Sequence, residues 1–156
     1  MFDTFGNFDS AEELNACAAG LLAEGDVENL ILLAKENGIP EELVELYALG
    51  ELPELADVTM AAVGKLDIEA EELIQKFKNG KIRKVGGVPI IPIADYVKVE
   101  CMNPTVAARV RRKNKSLEGA LNKLVEKLLQ LNKSKIGCMG FSDQETFDCI
   151  MEYYNG

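Results

Sequence analysis

The stretch LEGALNKLVEKLLQLNK, residues 117–133, constrains the fold more than any other part of this chain. Leu117, Leu121, Leu124, Val125, Leu128 and Leu131 recur at three- and four-residue spacing. That spacing places them on one stripe of an α-helix and turns the lysines, glutamates and asparagines to the opposite side. A helix with such a stripe is held mainly by burying it against other elements, so the chain must supply packing partners of matching period. Ser116 stands at the N-cap position, where its hydroxyl can accept from an orphan backbone N–H.

The same grammar recurs along most of the chain. Ser10 and Glu13 form a capping box ahead of AEELNACAAGLLAEG, which Gly25 ends. Asp26 caps DVENLILLAKENG, and Gly38 stops it. IPEELVELYALG sets Pro40 at a first helical turn followed by Glu41, Glu42 and Glu45, where negative charge suits the helix dipole. A longer helix is predicted over 57–78, with Val63, Leu66, Ala70, Ile74 and Phe77 at helical spacing. Beyond it, IADYVKVEC, a segment opened by Asn103-Pro104, and a last helix opened by a Ser142–Glu145 capping box complete the pattern. In that last helix Phe147, Ile150, Met151 and Tyr154 share a face. Residues 79–93 differ: β-branched residues, Gly86-Gly87 and two prolines predict a short hairpin or an extended linker. The expectation is a mostly α, small helical domain, with an acidic part over 1–78, the hairpin or linker over 79–93 and a basic part over 94–156, packed as one unit. An apolar share of 47% without tryptophan means that aliphatic side chains build the core.

Charge separates the two parts. Residues 1–75 hold 18 acidic side chains and two lysines, a net −16, whereas residues 76–156 hold 8 acids and 15 bases, a net +7. Opposed halves of this kind predict two electrostatically distinct surfaces. Within the basic half, Arg109, Arg111, Arg112, Lys113 and Lys115 fall in a seven-residue window. One or two cations suffice to meet a helix C-terminal dipole. Five adjacent ones repel one another, which calls for a counter-charge outside the local helix: the acidic half of this chain, a second copy, or a partner.

Histidine is absent, which removes the usual nucleophile–base pairs and the commonest zinc and haem ligands. Cys17, Cys101, Cys138 and Cys149 match no zinc or redox spacing and read as reduced thiols. No phosphate-binding glycine loop and no calcium-loop spacing is present. The expectation is therefore a protein without catalytic activity, cofactor or metal. No apolar run approaches the roughly 18 residues of a membrane span. The opening MFDTFGNFDS has no basic region followed by an apolar stretch, so a cytoplasmic protein is expected. Direct nucleic-acid binding is not expected, since no aromatic for base stacking lies between Tyr96 and Phe141, around the basic block.

LLAKENGIPEELVELYALGE, TMAAVGKLDIEAEEL, ADYVKVEC, ARVRRKNKSLEGALNKLVEKLLQ and IMEYYNG occur in that order. This series resembles the PcfK-like proteins of Firmicutes plasmids and phages, a family that includes anti-CRISPR inhibitors of the type II RNA-guided DNA endonuclease. The resemblance runs from about residue 26 onward. It is sharpest at Arg111-Arg112-Lys113 and Lys115-Ser116-Leu117, and residues 76–93 lie outside it. It implies an inhibitor in a bacterial host cell whose partner is the effector nuclease, with or without its guide RNA. Such a nuclease holds its heteroduplex in a positively charged channel, which an acidic helical face can occupy. Glu41, Glu42, Glu45, Glu69, Glu71 and Glu72 are then the acidic partner-binding candidates. Arg109, Arg111, Arg112, Lys113 and Lys115 are the basic ones, with Arg111 and Arg112 expected to outweigh Lys113 through bidentate carboxylate contacts. Homodimerisation between opposed halves is a further expectation. The alternatives are an accessory protein that grips nucleic acid with the basic block, or a helical dimerisation module.

Overall fold

The computed structural model describes residues 3–77, 81–82, 88–134 and 143–156. The fold is mostly α. Its elements are α1 (Ala11–Ala23), α2 (Val27–Glu36), α3 (Glu41–Ala48), α4 (Val58–Lys76), β1 (Lys81–Ile82), β2 (Val88–Pro89), α5 (Ile90–Glu100), α6 (Pro104–Arg111), α7 (Leu117–Ser134) and α8 (Asp143–Asn155).

Caps place the helices where the sequence puts them. Ser10 Oγ accepts from Glu13 N at 3.1 Å, while the Glu13 carboxylate reaches back to Asp9 N at 2.9 Å, one residue before the position a regular capping box uses. Asp26, Asp57 and Asn103 accept from Asn29, Met60 and Thr105 N–H groups at 3.1, 2.8 and 2.9 Å. Ser116 accepts from Gly119 N at 3.0 Å. The second predicted capping box involves Ser142, which lies outside the described residues, as does the expected helix end at residue 78.

Two details depart from expectation. β1 and β2 pair antiparallel, Ile82 opposite Val88, but the hairpin region is shorter than 79–93 because α5 already begins at Ile90. Pro89 is its N-cap and Pro92 falls in its first turn, where a missing N–H costs nothing. Ile74, expected in the apolar stripe of α4, is 36% exposed; Leu73 is buried in its stead.

Among the described residues, buried side chains form two apolar clusters. One joins α1, α2, α3 and Ala61 of α4, with Leu14, Leu30, Leu33 and Val44 among its members. The other joins Ala62, Leu66, Ala70 and Leu73 of α4 with α5, α6, α7 and α8. Helix α4 thus lies between the two groups, and it packs most extensively on α5 and α6. It approaches the α2–α3 turn as closely as backbones allow. Gly38 has φ +67°, and a Cβ on it would come within 2.8 Å of Gly64 Cα. A Cβ on Gly64 would sit on Asn37 O.

Cys17, Cys101 and Cys149 are free thiols. Burial pushes Cys101 up to about 12. Cys138 lies outside the described residues. Among the described residues, no helix is long and apolar enough to cross a membrane.

Candidate protein-interaction surface

Folding treats the charged residues of the sequence in two ways: some are drawn inside and some are left on the surface. Lys65 of α4 is fully buried. Its ammonium donates to the carbonyls of Val110 at 3.0 Å, Arg112 at 2.6 Å and Lys115 at 2.6 Å. An ammonium has three N–H donors and no acceptor, so these three carbonyls satisfy it completely. They belong to the end of α6 and the turn into α7, where carbonyls lack helical partners and the dipole favours positive charge. Lys65 therefore acts as a side-chain cap, delivered from α4, for a helix end 45 residues further along the chain.

Arg111, at the end of α6, is buried beside it. Its guanidinium donates to Asn7 Oδ1 at 3.0 Å and to Asn37 Oδ1 at 2.9 Å. Asn37 in turn donates to Leu33 O at 2.9 Å, closing the C-terminus of α2. The Glu69 carboxylate, 5% exposed and one turn beyond Lys65, accepts from Leu117 N at 3.4 Å. Burial lowers Lys65 to about 8 against the pull of Glu69, and lowers Arg111 to about 10 against the pull of Glu69, Asp9 and Glu13. Burial raises Glu69 to about 7 despite the two cations.

For Arg111 the counter-charge thus comes from this chain's own acidic half, from Glu69, Asp9 and Glu13. Arg111 and Glu69, expected as partner-binding residues, are corrected to interior ones: with 0% and 5% exposure neither presents a surface. Their network ties the N-terminal segment, the α2–α3 turn, α4 and the α6–α7 turn together. Asp9 and Asn7 complete the tie, as Asp9 accepts from Lys113 N at 3.1 Å and Asn7 donates to Lys113 O at 3.4 Å.

The Glu69 shift has a testable sign. Glu69 holds its proton more tightly folded than unfolded, so its contribution to stability is fully present below pH 4.5 and is lost as pH rises towards about 7. Glutamine at this position carries no such dependence. The stability of Glu69→Gln relative to the unmodified protein should therefore increase between pH 4.5 and pH 7, by on the order of 1–3 kcal/mol. Urea unfolding of both proteins across that range checks it, because the titrations that do not feel Glu69 cancel in the difference. A flat difference contradicts a buried, proton-retaining Glu69.

The remaining basic residues divide as well. Arg109 donates to Asn155 Oδ1 at 2.7 Å, and Lys115 donates to Tyr153 O at 2.7 Å with its ammonium 4.8 Å from that ring's centroid. Both are tied to α8, so of the five only Arg112 and Lys113 are exposed. Among the acids, Glu41, Glu42 and Glu45 stand exposed on α3, Glu71 is exposed on α4, and Glu72 is half-buried there. Lys65, Asn37 and Asn7 were not singled out by sequence reasoning. The one available signal was a lysine among the small and apolar residues of AAVGKL, four residues before a glutamate.

Withdrawing Lys65 sharpens the polarity of the surface. Among the described residues 3–75, Lys35 is the one solvent-exposed cation, against the exposed carboxylates of α1, α2, α3 and α4. Among those residues no group of three or more metal-binding side chains converges. No family model, curated protein or solved structure matches this chain.

Proposed function

We propose that this chain is a non-enzymatic inhibitor that binds a type II CRISPR RNA-guided DNA endonuclease and sets its acidic helical face against the cationic nucleic-acid channel of that enzyme. The observation that carries the reading is the exposed row Glu41, Glu42 and Glu45 on α3, in a half whose second lysine is turned inward. The resemblance of residues from about 26 onward to PcfK-like proteins supplies the identity of the partner. An acidic face steers encounter with a basic channel, and each desolvated carboxylate–arginine pair adds specificity. Occupying the channel excludes DNA by competition for the same arginines and lysines. The basic block is a poor alternative grip on nucleic acid, since Arg111 is internal and Arg109 and Lys115 are engaged with α8.

Capture of the purified effector by the tagged protein, with and without guide RNA, tests this. The unmodified protein should retain the effector and suppress DNA cleavage. The triple reversal Glu41→Lys, Glu42→Lys, Glu45→Lys should weaken capture by about 100-fold or more, close to 3 kcal/mol. Failure to retain the effector in either state defeats the reading.

A further inference from the structure

Beside that acidic row, α2 and α3 enclose a groove of about 430 Å³. Val27 and Ile31 on α2 and Val44 and Ala48 on α3 are each one helical turn apart, so the floor is two apolar ridges with a furrow between them. Leu49, just beyond α3, also lines the groove and is 74% exposed, and Val27 is 45% exposed. The charged side chains of the lining are Glu41 and Glu45. We propose that this groove is a docking site for a cationic amphipathic helix of a partner protein. The inference rests on the acidic-face reading above and names the element of the partner that the face receives.

Three observations select that occupant. Ridges one turn apart accept the i, i+4 apolar row of a third helix, which is how helices pack on helices. Covering the floor brings the occupant's flanking residues against Glu41 and Glu45, so lysine or arginine there is favoured and acidic residues are repelled. A second copy of this chain is a poor occupant. A two-fold contact would set Glu41 and Glu45 against their own counterparts. The chain's own amphipathic helix, α7, keeps Leu117, Leu121, Leu124 and Val125 buried in its own core.

The probe is a fluorescein-labelled leucine–lysine peptide of about 14 residues, leucines at helical spacing, long enough for a marginal helix. Its controls are a scrambled peptide of equal composition and a leucine–glutamate analogue. At roughly 0.1 M salt, where the screening length is about 10 Å, the amphipathic cationic peptide should bind. It should shift the amide resonances of Val27, Ile31, Glu45 and Leu49 in the ¹⁵N-labelled protein. Both controls should bind at least about tenfold more weakly. Leu49→Asn and the pair Glu41→Lys, Glu45→Lys alter exposed side chains; with amide spectra that otherwise superimpose on the parent's, each should weaken binding about tenfold. The proposal is overturned by equal binding of the scrambled peptide, by resonance shifts away from α2 and α3, or by an affinity indifferent to Leu49→Asn. Concentration-dependent shifts at the same amides without peptide overturn it too, in favour of a second copy. The parent reading fails separately. Peptide binding without effector capture defeats the choice of enzyme and leaves the groove. Effector capture lost on charge reversal yet untouched by Leu49→Asn defeats the groove and leaves the acidic face.

Discussion

Gly64→Val should cost this protein about 3 kcal/mol or more, a fall in Tm of about 6–12 °C for a chain of this length. A Cβ at Gly64 would sit on Asn37 O and come within 3.1 Å of Gly38 C and O, which are backbone atoms of a turn pinned by its neighbours. Gly38 cannot yield without breaking the bonds that end α2, Gly38 N–H to Lys35 O at 3.3 Å and Ile39 N–H to Ala34 O at 2.9 Å. Relief therefore requires α4 to lift away from the α2–α3 turn. That movement would also stretch the Arg111–Asn37 bond of 2.9 Å and disturb the seat of Lys65. Gly20 in α1 is the internal control: a Cβ there meets nothing within 4 Å. Gly20→Ala should stabilise by about 0.5–1 kcal/mol through helix propensity alone. Thermal unfolding of the two variants should move in opposite directions. A Gly64→Val protein within about 1 kcal/mol of the parent contradicts the close approach.

Lys65→Met should cost about 3–5 kcal/mol. Methionine fills much the same volume, so the loss is chemical rather than one of packing. The carbonyls of Val110, Arg112 and Lys115 lose their shared donor, and Glu69 loses the cation that acts on it more strongly. Lys65→Arg should fail as well, because a planar guanidinium fork cannot meet three carbonyls gathered about one point. Where Glu69 is ionised, above about pH 7, removing both charges is gentler than removing one. Lys65→Met with Glu69→Leu should recover at least about 1 kcal/mol relative to the sum of the single changes. Urea denaturation of the four proteins measures this coupling. An additive cycle would mean that Glu69 does not feel Lys65.

Much of the helical framework is legible in the residues themselves, for a local reason. A cap joins a side chain to an N–H two or three positions away, so Ser10, Asp26, Asp57, Asn103 and Ser116 mark helix starts without reference to the rest of the chain. The stripe Leu117, Leu121, Leu124 and Val125 likewise fixes which side of α7 goes inward. Where the reading slipped, the competing signals were equally local: Pro89 and Pro92 break strands and start helices alike, and only the packing of Ile90 and Ile93 beneath α4 decides for the helix.

The fate of the charges is not local. Arg111 and Arg112 are neighbours of the same type, yet one is buried against Asn7 and Asn37 and the other faces water. Glu69 and Glu71 differ in the same way, set two residues apart on a helix and so on different faces. The sequence determined that the chain is helical and that its two halves carry opposite charge. Tertiary structure alone decided which of those charges are spent inside. A buried ion needs partners from every side, and for Lys65 and Arg111 the hydrogen-bond partners lie 45 to 104 residues away, brought together only when α4 settles between Gly38 and α6.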